Sequence, residues 1–413
     1  MILRARVVLP ITAPPIEDGA VRFLDDQILA VGRFQDLASS DAEIHDLGEV
    51  ILMPGLINAH CHLDYTHMGG VISPPNSFVD WIQSIVALKA DWTYSDYANS
   101  WIAGANALLE SGTTCVADIE AVPELVPEVW RSTPLRVHTF HELISVRGRQ
   151  TPQAQTAEAE QRLNENPNPH GGGGLSPHAP YTTSPRLREL TAQTAETNNW
   201  RMCMHVAESA TENDMFRHRR GEMHDWLDRN GREMSDCGRS PVRVLADSNL
   251  LSDRMLAVHC NYVDAADIDL LRQSGTNVVH CPQSHAYFNH APFPTEDLLK
   301  AGINLSLGTD SLASTSAPTG LKPRLNLFDE MRVFAIANPA IAAEQIVEMV
   351  TINAARALGC PRQGSLAVEK KADLLAIPFA GQIEDAYGKL VNFDGRESAV
   401  MIDGQWIYPP LIG

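Results

Sequence analysis

Residues 51–62 read Ile51-Leu52-Met53-Pro54-Gly55-Leu56-Ile57-Asn58-Ala59-His60-Cys61-His62. An apolar run, predicted as a strand over Ile51–Asn58, ends in two histidines one residue apart. In extended backbone, residues i and i+2 point to one side, so His60 and His62 leave the strand as a pair of imidazoles. Seven more short apolar runs follow: Thr114–Asp118, Leu135–Phe140, Gly174–Ser176, Arg201–Met204, Leu256–Val258, Asn277–Val279 and Ile303–Leu307. Helical patterns lie between the runs, as at Phe78–Ala90, Tyr97–Ser111, Ser184–Asn198, Ala265–Ser274 and Thr295–Ala301. Eight strand-then-helix units over about 250 residues or more define a (β/α)8 barrel, an α/β fold.

The two ends of the chain read differently. Arg6–Leu9, Ala20–Phe23 and Ile28–Val31 near the start are short strand-like pieces separated by turn residues, and so are Ala372–Ile377, Ser398–Ile402 and Gln405–Tyr408 near the end. Asp403-Gly404 is a strong hairpin turn. The expectation is one small β-sandwich domain assembled from residues 1–51 and 363–413, with the barrel spanning 52–362. Two connections stand out. The polar stretch Gln150–Gly174, ending in His170 and four glycines, is a connector, because no Lys-Ser/Thr follows to make a phosphate loop. Ser209–Ser240, with Arg217-His218-Arg219-Arg220, is either a solvated insertion or a lid over the barrel mouth, where barrel folds build their sites from such loops.

Composition narrows the function. The chain has 413 residues, 32 Lys plus Arg against 51 Asp plus Glu, and a formal charge of −19, which argues against nucleic acid and anionic membranes as partners. With 44% apolar and 20% charged residues it can bury a large core. No apolar run approaches the roughly 20 residues of a membrane span, and no signal peptide is evident. The seven cysteines form no CxxC pair, as in a cytoplasmic chain with free thiols.

Polar residues recur where the predicted strands end. His205 follows the fifth run, with Glu208 three residues on. His259 ends the sixth, and Asp310 follows the eighth in Leu307-Gly308-Thr309-Asp310-Ser311. Strand C-termini form the catalytic face of a barrel, and imidazoles with carboxylates there suit a hydrolytic metal centre in which a carboxylate handles protons. His178, fixed between Pro177 and Pro180, is a candidate substrate-binding imidazole. His280 and His285 follow the seventh run with either a pocket or a structural role. His141 and Glu142 follow the third.

These residues together resemble the amidohydrolase superfamily, in its mononuclear aminohydrolase branch of nucleoside, guanine and cytosine deaminases and triazine hydrolases. Met53–His62 is similar to the opening motif of that superfamily and Met204-His205-Val206-Ala207-Glu208 to the HxxE element of the branch. His280-Cys281-Pro282 and Leu307–Ser311 are similar to its later motifs, and Gly364–Leu374 to its re-entry into a small β domain. The resemblance implies metal ligands at His60, His62, His205 and Asp310, with Glu208 as proton shuttle. It implies that His259 and Asp310 hold the attacking water and that His178 contacts substrate. Dinuclear members carry a bridging lysine at the end of strand four. Here that position reads Ser176-Pro177-His178, which implies one divalent ion, Zn²⁺ by preference, with Fe²⁺ fitting the same donors.

The expected activity is hydrolytic removal of an amino group, as ammonia, from a purine- or nucleoside-like heteroaromatic ring. Alternatives on the same site are a triazine-type hydrolase displacing chloride or alkylamine, and a cyclic amidase. A homodimer is the expected assembly. This sequence departs from the branch at Ser284-His285-Ala286 and in the length of the segment after Glu208, both where substrate is selected.

Overall fold

The computed structural model describes residues 1–38, 42–72, 75–146, 148, 150–168, 170–317, 321–394 and 399–410. Eight parallel strands lie side by side in chain order: Leu56–Cys61, Thr113–Glu120, Arg136–Leu143, Gly172–Pro177, Arg201–Val206, Met255–His259, Asn277–His280 and Leu305–Leu307. The first and last meet through a parallel bridge between Cys61 and Asp310, where the Asp310 N–H donates to the His60 carbonyl at 3.1 Å. Helices alternate with the strands, and the result is a (β/α)8 barrel.

Closure depends on a close approach. A Cβ on Gly308 would lie 2.7 Å from the His60 carbonyl oxygen. Asn58 fastens the same seam: its Nδ2–H donates to Thr309 Oγ1 at 2.7 Å, and its Oδ1 accepts the Thr309 N–H at 3.1 Å. The seam therefore sits beside the histidine pair and sets the position of both edges of the site.

The expected strand Ile51–Asn58 is two strands, and this is a correction. Val50–Pro54 belongs to the second sheet, antiparallel to Leu374–Pro378 and parallel to Ile2–Val8. The barrel strand starts at Leu56. Pro54 and Gly55 make the crossing, and a Cβ on Gly55 would lie 2.3 Å from the Thr114 side chain. The handover between sheets thus lies at Gly55, not between residues 51 and 52. At the other end, the helix Ala386–Val391 lies within the stretch expected to be all β. It buries Ala386, Leu390 and Val391 with Phe328 and Ile346 of the barrel's outer helices.

The second sheet runs in the order 405–408, 399–402, 374–378, 50–54, 2–8, 16–24 and 27–33, with 44–46 beside 2–8. The two layers of the expected sandwich are parts of one hydrogen-bonded sheet that curls around its own core of Leu3, Val21, Leu52, Leu374 and Met401. Side chains alternate along its central strands. Leu52, Leu374 and Ala376 enter that core, whereas Ile51, Met53, Leu375 and Ile377 enter the barrel core. The Asp403-Gly404 turn has both residues at positive φ, 50° and 74°, as a type I′ hairpin requires. Of the run expected at 398–402, Ser398 lies outside the described residues.

Most expected strands are longer than predicted at their C-terminal ends. The third runs to Leu143 and the fifth to Val206, taking in the polar residues that had marked their limits. The fourth begins at Gly172, because its glycines leave room for neighbours: a Cβ on Gly174 would lie 2.8 Å from the Phe140 ring. The helix expected at Tyr97–Ser111 spans Tyr94–Glu110, since Thr93 and Asp96 form a reciprocal cap one turn earlier. The barrel's N-terminal end is plugged by the helix Ile352–Leu358, whose Ala354, Ala355 and Leu358 pack on Ile57, Cys115 and Phe140. Among the described residues no helix is long and apolar enough to cross a membrane.

Candidate metal and catalytic site

Four side chains meet at the C-terminal mouth of the barrel. His62 Nε2 lies 3.3 Å from His205 Nε2. Asp310 Oδ1 lies 3.5 Å from His60 Nε2 and 3.7 Å from His62 Nε2. One donor atom from each of His60, His62, His205 and Asp310 lies within 4.8 Å of the others, and all four residues are buried.

Neighbouring groups aim these donors. His205 Nδ1 lies 2.8 Å from the His178 carbonyl oxygen, so it carries the proton and leaves Nε2 with its lone pair toward the cluster. Ser314 Oγ–H donates to Asp310 Oδ2 at 3.0 Å, leaving Oδ1 for the histidines. Burial lowers the pKa of His62 well below the usual value and that of His205 to about 4, so both imidazoles are neutral near pH 7. Burial alone would raise Asp310, but the imidazoles of His60, His259 and His62 outweigh it and keep the carboxylate ionised. His60 Nε2 is buried with no hydrogen-bond partner among the described residues. Neutral imidazoles, one carboxylate and an orphaned nitrogen aimed at one point fit a divalent cation.

Two further groups border the cluster. His259 Nε2 lies 3.5 Å from Glu208 Oε1, and Glu208, His259 and Asp310 each place a donor atom within 4.8 Å of the other two. Burial raises the Glu208 pKa well above the carboxylate range, and the charges of Asp310 and Glu212 add to the shift. The backbone here is strained. Ala207, His259, Cys260 and Asp310 have φ of 50°, 73°, 51° and 54°, a region that costs a non-glycine residue about 1–3 kcal/mol. Three strand ends are thus bent out of regular geometry where their side chains converge.

The cluster opens into a cavity of about 470 Å³. Trp81, Ile82, Ile85 and Val86 of the helix Phe78–Lys89 form one wall. Trp226 and Leu227 of the helix Glu222–Arg229 form another, so the charged segment after Glu208 covers the barrel mouth as a lid would. His178 lines the cavity with its Nδ1 2.7 Å from Thr182 Oγ1 and its ring 4.8 Å from that of His205. Glu142 also lines it, whereas His141 faces a neighbouring cleft. His280 and His285 do not line the cavity. His280 stacks on Phe293 at 3.8 Å between ring centroids, and His285 Nδ1 contacts Asn261 Oδ1 at 3.1 Å.

Sequence reasoning missed Glu212, Lys89, Trp81 and Trp226. Glu212 is buried and accepts the N–H groups of Ala207 and Glu208 at 3.1 and 2.7 Å. Its signal was present, since Ser209-Ala210-Thr211-Glu212 has the spacing of a helix capping box. Lys89 donates to Tyr65 Oη and lines the cavity. The tryptophans carried no local signal separating a pocket wall from ordinary helix packing.

Known proteins are similar to this chain along most of its length. A 5-methylthioadenosine/S-adenosylhomocysteine deaminase of Syntrophobacter fumaroxidans is 30% identical over 384 residues, covering 88% of this chain and 80% of that protein. The crystal structure of an adenosine deaminase from Xanthomonas campestris with bound zinc is 26% identical, with a TM-score of 0.84 over 99% of this chain and 92% of that one. The Helicobacter pylori aminofutalosine deaminase, in complex with methylthio-coformycin, shares the fold at 21% identity, with a TM-score of 0.87 over 98% of this chain and 99% of its own. The family model described as Amidohydrolase family matches residues 51–407, taking in every barrel strand and all the converging side chains. A closed barrel with three histidines and an aspartate at its mouth, matched along most of its length by that family, makes this chain a member of the amidohydrolase family.

Proposed function

We propose that this protein is a metal-dependent hydrolytic deaminase that releases ammonia from a purine-nucleoside-like substrate. The observation that carries the reading is Glu208: a buried carboxyl of raised pKa, 3.5 Å from His259, beside a four-donor metal cluster at the floor of a cavity. The deaminase names of the relatives support it.

His60, His62, His205 and Asp310 would hold one divalent ion, with Zn²⁺ preferred for three nitrogens and a carboxylate and Fe²⁺ the alternative. When bound, such an ion brings the acidity of water toward neutrality and screens the carboxylates from one another. Glu208 takes a proton from the attacking water and passes it to a ring nitrogen of the substrate. Its raised pKa lets it hold that proton near neutral pH. His259 and Asp310 orient the water oxygen toward the ring carbon that bears the amine. A C–O bond forms there; Glu208 then takes the second proton, from the new hydroxyl, and delivers it to the amine as the C–N bond breaks, which leaves a ring carbonyl and ammonia. His178 binds the ring from the side.

The walls favour a particular kind of nucleoside. Trp81 and Trp226 offer faces for an aromatic base, and Ile82, Ile85 and Leu227 suit an apolar arm. Among the described residues a single lysine, Lys89, lines the cavity, and engaged with Tyr65 it is a poor anchor for a phosphate. Seven free cysteines support a reducing, cytoplasmic setting. The test is ammonia release by Zn²⁺-loaded protein from adenosine, 5′-deoxyadenosine, 5′-methylthioadenosine and AMP. Release from the apolar-armed nucleosides, little from AMP and none with Glu208→Gln is the expected pattern. Silence across all four would overturn the substrate class.

A further inference from the structure

A second cluster of donors lies at the opposite end of the barrel. Cys115 is the third residue of the second barrel strand, and His138 the third of the third. Cys360 follows the plug helix Ile352–Leu358, after Gly359 turns the chain at φ 68°. Cys360 Sγ lies 3.2 Å from His138 Nε2. One donor atom from each of Cys115, His138 and Cys360 lies within 4.8 Å of the other two. Cys115 is buried, and the other two are half-buried.

The fold makes room for this arrangement. Gly172 pairs with His138 across the strands, and a Cβ there would lie 2.6 Å from His138 Nδ1. Glycine at 172 lets the ring lie flat with Nε2 turned toward the sulfurs. The Cys115 thiol, His138 and Arg201 beside it outweigh burial and lower the Cys360 thiol to about 5.

We propose that Cys115, His138 and Cys360 form a structural metal site, separate from the catalytic mouth, for a thiophilic divalent ion such as Zn²⁺, with water as fourth ligand on the half-buried side. Tetrahedral Zn–S and Zn–N bonds of about 2.3 and 2.0 Å place neighbouring donors roughly 3.5–3.8 Å apart, within the span these atoms occupy. Binding takes both cysteines as thiolates with release of the protons they held, and their two charges neutralise the dication. The ion would tie the plug helix to two barrel strands at the end where this fold keeps its stability rather than its chemistry.

The expected result is two metal ions per chain in the purified holoprotein and one in Cys360→Ser, with ammonia release within about twofold of wild type and a lower melting temperature. Since a polar group in a buried spot can also disturb folding, Co²⁺-substituted wild-type protein supplies a second readout. A sulfur-to-cobalt charge-transfer band in the near ultraviolet arises only from cysteine ligands, and the catalytic mouth offers nitrogen and carboxylate donors. That band, absent from Cys360→Ser, supports the site. One metal per chain with no such band overturns it in favour of a thiol–imidazole hydrogen bond. A Cys115–Cys360 disulfide found by mass spectrometry of unreduced protein overturns it as well.

Discussion

Glu212 Oε2 accepts the backbone N–H of Glu208 at 2.7 Å, so one buried carboxylate fixes the main chain that carries another. Its second oxygen accepts the N–H of Ala207, a residue held at φ 50°. Glu212 touches neither the donor cluster nor the cavity. It stabilises the strained turn that delivers Glu208.

Glu212→Gln should therefore lower kcat with KM and metal content nearly unchanged. Glutamine has one acceptor oxygen for two N–H groups and turns an NH₂ toward the other. A lost buried hydrogen bond of about 1–3 kcal/mol corresponds to roughly a tenfold to hundredfold fall. Steady-state kinetics beside elemental analysis checks this, and an unchanged kcat would show that the turn holds without its clamp.

The same residue sets a pH dependence of stability. Burial raises Glu212 to about 7 against three backbone N–H groups that lower it. Between its ordinary value of 4.5 and about 7 the native protein keeps a proton that the unfolded chain gives up. Its contribution to stability is therefore largest at the acid end of that window, declines as pH rises through it, and levels off above about 7. Urea midpoints from pH 5 to 8 should fall less steeply in Glu212→Gln than in wild type.

Glu208→Gln should keep the metal and lose about 10²- to 10⁴-fold in kcat, the usual worth of a positioned proton-transfer group. His205→Ala should instead lose the ion at the barrel mouth, because it removes one of the four converging donors, while the ion proposed at Cys115, His138 and Cys360 stays. Elemental analysis of the two purified variants separates the roles, and a metal-replete, active His205→Ala would remove it from the ligand set.

Gly308→Ala should destabilise the barrel by about 1–3 kcal/mol, the cost of forcing atoms into a packed space. The added carbon meets the His60 carbonyl at 2.7 Å, so metal occupancy should fall together with the denaturation midpoint. A stable variant with weakened metal binding alone would mean that the seam moves without opening.

Trp226→Ala should raise KM for apolar-armed nucleosides by about tenfold or more and change kcat less, since its ring is a wall and takes no part in proton transfer. Equal losses in kcat and kcat/KM would instead place the indole against the reacting ring.

The barrel and its mouth were legible because strand ends in this sequence are marked by abrupt polar residues. His60, His62, His205, His259 and Asp310 each follow an apolar run, and the parallel register brings them to one rim. The crossing at Gly55 was not legible, because Met53, Leu56 and Ile57 are apolar whichever sheet they enter. The positive φ at His259 and Asp310 left only a weak trace, since His and Asp are enriched in that region among non-glycine residues but are far commoner outside it. The meeting of Cys115, His138 and Cys360 is set by the plug helix, a contact between distant parts of the chain that no local pattern carries.

The strand Val50–Pro54 has a history during synthesis. Its partner on one edge, Ile2–Val8, is already made when it emerges, but its other partner, Leu374–Pro378, is encoded after the whole barrel. At about 5–20 residues per second the ribosome needs roughly 20–60 s to reach that partner. Through that interval the nascent chain carries an open strand edge with Ile51 and Met53 on one face and Leu52 on the other. Synthesis of Leu374–Pro378 thus determines when the growing chain stops being a target for chaperones and for its neighbours on the same messenger.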